Sequence, residues 1–336
     1  MKSHEYDRLD RQLVRALELD GRAPFSRIAQ ALGVSDQTVA RRYARLRGRG
    51  ALQIMGLTSP AVLGEVQWII RVQCTPDGAA PVAEALARRD DTAWISLISG
   101  GTEITCVSRS GNDRGDSLLL QRLPKTRSVV GVTAYCVLHT YFGESLSLVS
   151  KLDTLTAEQV RQLAPEPSTA APRPAEAVDE ADDRMLALLQ QDGRAGLAGL
   201  ASASGLSQTS VRRRMAELTA SGVLYLDVDF DRRIFGLNTV AMLWLSVSPS
   251  ELARTGRDLA AHPEVAFCCA TTGPTNLHAV VVCKDIPAFY TYLTTSISAL
   301  DAVQHVETGP VLRRLKAAAP YPSAPGDVRY WSGRNT

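Results

Sequence analysis

The sequence predicts an α+β protein made of two copies of one two-part unit: a winged helix-turn-helix domain followed by a ferredoxin-like βαββαβ domain. Three observations predict it. The chain aligns with itself at an offset of 172 residues. Each copy opens on a short helix, a glycine turn and an amphipathic helix carrying arginines. Each copy then continues as strand, helix, strand, strand, helix, strand.

The repeat is the firmest of these. DGRA at 20–23 falls on DGRA at 192–195, Gly33-x-Ser35 on Gly205-x-Ser207, Arg41-Arg42 on Arg213-Arg214, and Gly64 on Gly236. From Asp7 to Gly64, 19 of 58 positions are identical without a gap. The match continues more weakly, Trp94–Gly101 falling on Ala266–Gly273, and the offset then grows to 173 and 174. Between the copies, PEPSTAAPRPAEA at 165–177 has the Pro/Ala composition of a semi-extended linker.

In the first copy, Leu9, Leu13, Ala16 and Leu17 recur at helical spacing over 7–19, and Ser26 to Leu32 gives a second helix. Gly33 supplies the left-handed residue that ends it. Ser35 suits the cap of the third helix, where Val39, Tyr43 and Leu46 share one face. Thr38, Arg41, Arg42 and Arg45 project elsewhere. Such a helix docks in a DNA major groove, its arginines reaching phosphate or the O6/N7 edge of guanine. Gly50 and the apolar run after it predict a returning strand, a wing. The candidate DNA contacts are Ser35, Gln37, Thr38, Arg41, Arg42, Arg45 and Arg47, and in the second copy Thr209, Ser210, Arg212, Arg213 and Arg214.

The two heads differ in charge. Ten Arg against six acids give 5–58 a net +4; five Arg against eight acids give 177–230 a net −3. Glu217 stands where the first copy has Arg45, a reversal on the side expected to face DNA. Phosphate contacts supply much of DNA affinity, so the first head is expected to bind more strongly.

The second part of each copy is a sensor-like domain. Its expected strands and helices are 67–74, 78–89, 94–99, 103–109, 117–123 and 129–141, then 239–247, 251–262, 265–271, 277–283, 286–299 and 303–312. Such an order gives an antiparallel sheet with helices on one face, and the bare face calls for a second sheet.

These residues resemble the Lrp/AsnC family of transcription regulators, over nearly the whole chain and twice over. The motifs are Leu9-Asp10, Asp20-Gly-Arg-Ala, Ile28-Ala-x-x-Leu-Gly-Val-Ser35, Val39-x-Arg-Arg-x-x-x-Leu46, Gly50 and Gly100-Gly-Thr-Glu103. The second copy has Asp182, Asp192-Gly-Arg-Ala, Leu206-Ser207, Val211-x-Arg-Arg, Gly222 and Gly273-Pro-Thr-Asn276. The resemblance implies a sensor domain of the RAM type that dimerises through its sheet, and a small effector, commonly an amino acid, between sensors. The implied effector residues are Gly100, Gly101, Thr102 and Glu103, with Gly273, Thr275 and Asn276; each turn also reads as a plain β-turn between strands. Tandem fusion departs from the usual pattern, since one chain carries what two subunits supply.

The domains expected are 1–58 and 178–230 for the heads, 63–150 and 236–320 for the sensors, 151–177 for the linker and 321–336 for a tail. The expected partners are double-stranded DNA, a possible amino-acid effector and further copies through the RAM sheets.

Hydrophobic residues at 45% and charged residues at 21% exclude a disordered chain. No stretch reaches the roughly 18 apolar residues of a membrane span, and the charged start MKSHEYDRLDRQ is unlike a secretory signal, so a cytoplasmic protein is expected. The six cysteines form no CxxC pair and read as buried thiols, with Cys268-Cys269 the one alternative redox pair. No catalytic motif, cofactor or metal spacing is visible. The competing reading is an enzyme: siroheme decarboxylases resemble the same tandem architecture. They need histidines near the tetrapyrrole, but the segments at 93–97 and 265–269 have none, and the five His are 4, 139, 262, 278 and 305.

Overall fold

The computed structural model describes residues 6–110, 123–165, 170–174 and 177–318. The helix expected at 117–123 falls almost wholly outside the described residues, and the tail at 321–336 entirely so. Among the described residues no helix is long and apolar enough to cross a membrane.

Two compact units form, and neither is one copy of the repeat. The first joins Met1–Leu63 to Glu144–Gly236, and the second joins Gly64–Gly143 to Leu237–Thr336. Like parts have come together: head with head, sensor with sensor.

In the head unit, α1 (Arg8–Leu19) starts from a capping box in which Asp7 accepts from the Asp10 amide and Asp10 from the Asp7 amide. α2 (Phe25–Leu32) stops at Gly33, whose φ of 68° is left-handed. α3 (Asp36–Gly48) is capped by Ser35, which accepts from the Thr38 amide at 3.2 Å. Leu13, Leu17, Ile28, Val39 and Leu46 close the core between them. The second head repeats this with α6 (Glu180–Gln191), α7 (Leu197–Ser204) and α8 (Gln208–Ala220), capped by Asp179 and Ser207.

The strand after each head behaves differently from a hairpin wing. β1 (Leu52–Thr58) pairs antiparallel with β6 (Leu224–Phe230), Leu52 opposite Phe230 through Thr58 opposite Leu224. A lone strand has no partner in its own copy, so the two wing strands satisfy each other's backbone groups. The expected linker is also shorter than 151–177. Within it α5 (Ala157–Leu163), with its own capping box from Thr156 and Gln159, buries Leu163 in the first head's core. Gln159 Nε2 donates to the Ala31 carbonyl at 3.0 Å.

The sensor unit contains β2 (Val66–Cys74), α4 (Ala79–Ala87), β3 (Thr92–Ile98), β4 (Glu103–Ser110) and β5 (Val129–Phe142). The second copy supplies β7 (Thr239–Val247), α9 (Leu252–Ala261), β8 (Val265–Thr271), β9 (Leu277–Cys283), α10 (Ile286–Tyr292) and β10 (Val303–Lys316). The eight strands close into one barrel in the order β10-β3-β4-β2-β5-β8-β9-β7. The 14-residue strands β5 and β10 each serve both copies. β5 pairs with β2 up to Cys136 and with β8 from Val137. β10 pairs with β7 up to Pro310 and with β3 from Val311. The partner sheet expected from another copy is thus the other half of this chain. α10 ends earlier than expected: Leu293–Ile297 winds as a π-helix, where Thr294, Thr295 and Ser298 hydroxyls bond back to carbonyls one turn earlier.

Three cores result in this unit. One lies under α4, one under α9 and α10, and one between the sheets, made of Ile69, Ile98, Tyr135, Met242, Trp244 and Cys269.

The head seam is tight enough to test. A Cβ on Gly193 would lie 2.9 Å from Ile54 Cγ2 and 3.0 Å from backbone atoms of Met55, whereas a Cβ on Gly196 meets nothing within 4 Å. Gly193→Ala is expected to lower the unfolding free energy by about 1–3 kcal/mol in urea melts, with Gly196→Ala nearly neutral.

Candidate nucleic-acid interface and sensor seam

The Arg-bearing helices α3 and α8 are fixed by buried carboxylates. Asp10 is fully buried, and Arg42 Nη1 donates to Asp7 at 2.5 Å and to Asp10 at 3.1 Å. The second head repeats the arrangement: Asp182 is fully buried, and Arg214 Nη1 donates to Asp179 at 2.6 Å and to Asp182 at 3.0 Å. The Arg214 guanidinium and two backbone amides hold the Asp179 carboxyl down at about 2. Arg45 adds a second fork on Asp10, at 2.6 and 2.7 Å. Arg42, Arg45 and Arg214, read from sequence as DNA contacts, therefore clamp the recognition helix onto the first helix of its own head. A buried carboxylate needs such partners, which takes precedence over display to solvent.

What remains outward is a shorter set. Gln37 and Arg41 are exposed on α3, and Thr209, Arg212 and Arg213 on α8. Arg41 and Arg212 make no ion pair among the described residues, and Arg213 lies 3.7 Å from Glu217. Ser35 and Thr38, like Ser207 and Ser210, are joined through their hydroxyls at the helix N-terminus. Arg47 reaches the other head, 2.8 Å from Asp192.

The DGRA motif forms the centre of the head seam. Arg22 donates to the carbonyls of Gly193 and Ala195 at 2.7 and 2.9 Å. Arg194 donates to those of Gly21 and Ala23 at 2.7 and 3.0 Å. Arg194 also lies over the Phe25 ring, 4.7 Å from its centroid. Burial, and for Arg22 the nearby Arg194 charge, pull these arginines below their ordinary pKa. Sequence reasoning used DGRA as a repeat marker and a family motif, without a structural role. An Arg preserved in both copies at the end of a helix, away from the recognition face, was the available signal.

The expected effector turns lie where the two sensor copies meet. Ser99, Gly100 and Gly101 are consecutive residues at positive φ, 52°, 77° and 90°. A Cβ on Gly101 would meet Leu312 of β10 at 3.4 Å. In the second turn Thr272 accepts from the Cys136 amide of β5 and donates its own amide to the Cys136 carbonyl, both at 2.9 Å. Gly273, at φ 101°, faces the Tyr135 ring. Thr102 is exposed beside the first turn; Thr275 is buried. Two members of the expected set are engaged elsewhere. Glu103 is buried and accepts from Arg71 Nε at 2.5 Å. Asn276 pairs with both backbone groups of Val247, at 2.9 and 2.8 Å.

Between the sheets sits a polar group that sequence reasoning missed. Arg71 is nearly buried, takes Glu103 on one side and holds Glu307 bidentately at 2.6 and 2.9 Å on the other. Its guanidinium lies 3.9 Å from the Trp244 ring centroid. Glu307 and Trp244 belong to the second copy, so this cluster joins the copies by charge as β5 and β10 join them by backbone. His278 packs on Trp244, ring centroids 5.4 Å apart, and burial pushes it down to about 4, so it is neutral at pH 7. All six cysteines are free thiols. Cys268 faces the outer core and Cys269 the inner one, and burial raises the Cys269 thiol well above its usual range. Among the described residues no group of His, Cys, Asp and Glu is placed to hold a metal.

The family model for the AsnC-type helix-turn-helix domain matches residues 7–47 and 178–219. That for the Lrp/AsnC ligand binding domain matches 240–321. The HTH-type transcriptional regulator FL11 of Pyrococcus horikoshii is 25% identical over 146 residues, 43% of this chain and 96% of that protein. An uncharacterized HTH-type transcriptional regulator of Pyrococcus furiosus is 31% identical over 100 residues, 29% of this chain and 68% of its own length. Among solved structures, the siroheme decarboxylase NirDL matches with a TM-score of 0.60 at 16% identity, over 93% of this chain and 94% of that one. At that identity the likeness shows the shared tandem fold.

The Arg71 cluster gives a pH test. Its hydrogen bonds from Arg71 hold the Glu307 carboxyl below the usual carboxylate range. A depressed carboxylate stabilises the fold above its unfolded pKa, and that contribution disappears as pH falls through the folded value. Urea melts from about pH 5 to pH 3 should show stability falling with pH. Glu307→Gln should be less stable at pH 7 and lose less on acidification. Parallel curves for the two proteins would refute the link.

Proposed function

The chain belongs to the Lrp/AsnC family, and on that premise we propose that it is a transcription regulator that binds double-stranded DNA through its two helix-turn-helix heads. The observation that carries the reading is the outward set on α3 and α8. Arg42 and Arg214 are withdrawn into their heads, yet Arg41, Arg212 and Arg213 stand exposed beside capped helix N-termini. A groove-reading helix needs that combination of fixed position and exposed outer cations. The first head carries the larger share of affinity, since 5–58 is net positive and 177–230 net negative. A DNA-binding regulator of this kind works in the cytoplasm. Assembly into larger oligomers would use surfaces other than the barrel strands, whose edges are taken.

A small effector, an amino acid or a relative of one, is proposed at the two sensor turns. Each turn abuts the long strand of the other copy, so a ligand there would favour one packing of the copies over another, which is what regulation requires. Ser99 in the left-handed region beside Gly100 and Gly101 is the kind of backbone outlier found at ligand clamps. With Glu103 and Asn276 engaged, recognition falls to the backbone of Gly100, Gly101, Thr102 and Gly273 and to the Thr275 side chain.

The full-length likeness to NirDL favours one second reading, a tetrapyrrole enzyme. Two of the histidines are unavailable to it: His278 is sealed against Trp244, and His262 is bonded to Tyr292 at 2.9 Å, while His139 and His305 are exposed. A Soret band that shifts when siroheme is mixed with purified protein, and that stays with the protein through gel filtration, would support the enzyme and count against the regulator.

The regulator reading is tested by anisotropy on DNA from the protein's own promoter region, titrated with salt. Arg41→Ala should weaken binding about tenfold and reduce the log–log salt slope by about one, with the melting temperature unchanged. Arg213→Ala should cost less. Arg42→Ala should instead lower the melting temperature, because it strips a partner from buried Asp10. Equal behaviour of Arg41→Ala and Arg42→Ala would refute the division between clamp and contact.

A further inference from the structure

The two heads hold their buried aspartates with different second arginines. In the first, Asp10 takes Arg42 and Arg45, both from α3. In the second, Arg214 takes the place of Arg42, but the position of Arg45 is Glu217. That substitution leaves Asp182, fully buried, one cation short and adds a third carboxylate beside Asp179.

The missing cation arrives from the linker. Arg173 places Nη2 at 3.2 Å from Asp182 and 3.5 Å from Asp179, and Nη1 at 3.9 Å from Glu217. Its backbone amide donates to the Glu217 carbonyl at 3.3 Å, and its guanidinium donates to the carbonyl of Ala177. The side chain is only 20% exposed, unlike a residue on a free tether. We infer that Arg173 is the second head's replacement for Arg45, a positioning residue that sets α8 on α6, so that the linker is a working part of that head. The reversal at Glu217 is then a docking point for the linker and no repulsion of DNA. This rests on the DNA-binding reading for its functional half; its structural half stands without it.

A charge-swap series tests it in the full-length protein. Arg173→Ala should lower the melting temperature by about 3 °C and weaken promoter binding about fivefold. The log–log salt slope should stay unchanged, since no phosphate contact is lost. Arg173→Ala with Glu217→Arg rebuilds the first head's arrangement and should recover both melting temperature and affinity. Glu217→Arg alone crowds two guanidinium groups at Asp182 and should melt below the double variant. A double variant no more stable than Arg173→Ala would overturn the replacement. So would a slope reduced by about one at unchanged stability, which would make Arg173 a direct phosphate contact. If the wild-type protein fails to bind promoter DNA, the function proposal falls, while the melting series still decides this inference.

Discussion

The structure depends on strands that belong to two copies at once. A strand edge left bare exposes a row of unpaired amides and carbonyls, and each unsatisfied group costs about 1–3 kcal/mol if buried. β5 and β10 avoid this by spending their first part on their own copy and their last part on the other. β1 and β6 do it over their whole length. Neither copy of the repeat is complete alone, and the DGRA exchange and the Arg71 cluster lie on seams that this backbone pairing creates.

Duplication lets the two sides of each seam diverge. What both copies keep is what the seams and clamps require: the DGRA turn, the capping aspartates with their Arg42 and Arg214, and the glycine between the first two helices and the third. What differs has been used asymmetrically. By strand register Arg71 corresponds to Trp244 and Thr105 to His278, so one copy supplies the cation and the other the ring it stacks on. A dimer of identical chains would place the same residue at both positions.

Much of this was legible in the sequence. The offset of 172 exposed the duplication, Gly33 and Ser35 marked the turn between helices, and apolar runs marked the strands. Four things were hidden, for physical reasons. The arginines of α3 were assigned by helical face, but Arg42 and Asp10 meet across 32 residues of chain, and no periodicity within one helix reveals such a partner. The wing strand carried a strand signal without any sign of what it pairs with, because pairing is settled by the other copy. Helix α5 lay inside a stretch whose Pro and Ala content was dominated by its later half. Among the effector residues, the glycines were supplied by the family resemblance, while burial of Glu103 beside Arg71 needed the barrel to be closed.

The central claim is that one chain supplies both halves of the head pair. It is tested most directly by a disulfide across the β1–β6 register, where Gln53 lies opposite Asp229. The Gln53→Cys/Asp229→Cys protein, oxidised at low concentration and run on a non-reducing gel, should migrate as one chain, with that bridge identified by peptide mapping. A product of twice the chain mass linked through the same two positions would mean that the heads pair between molecules, and would contradict the account.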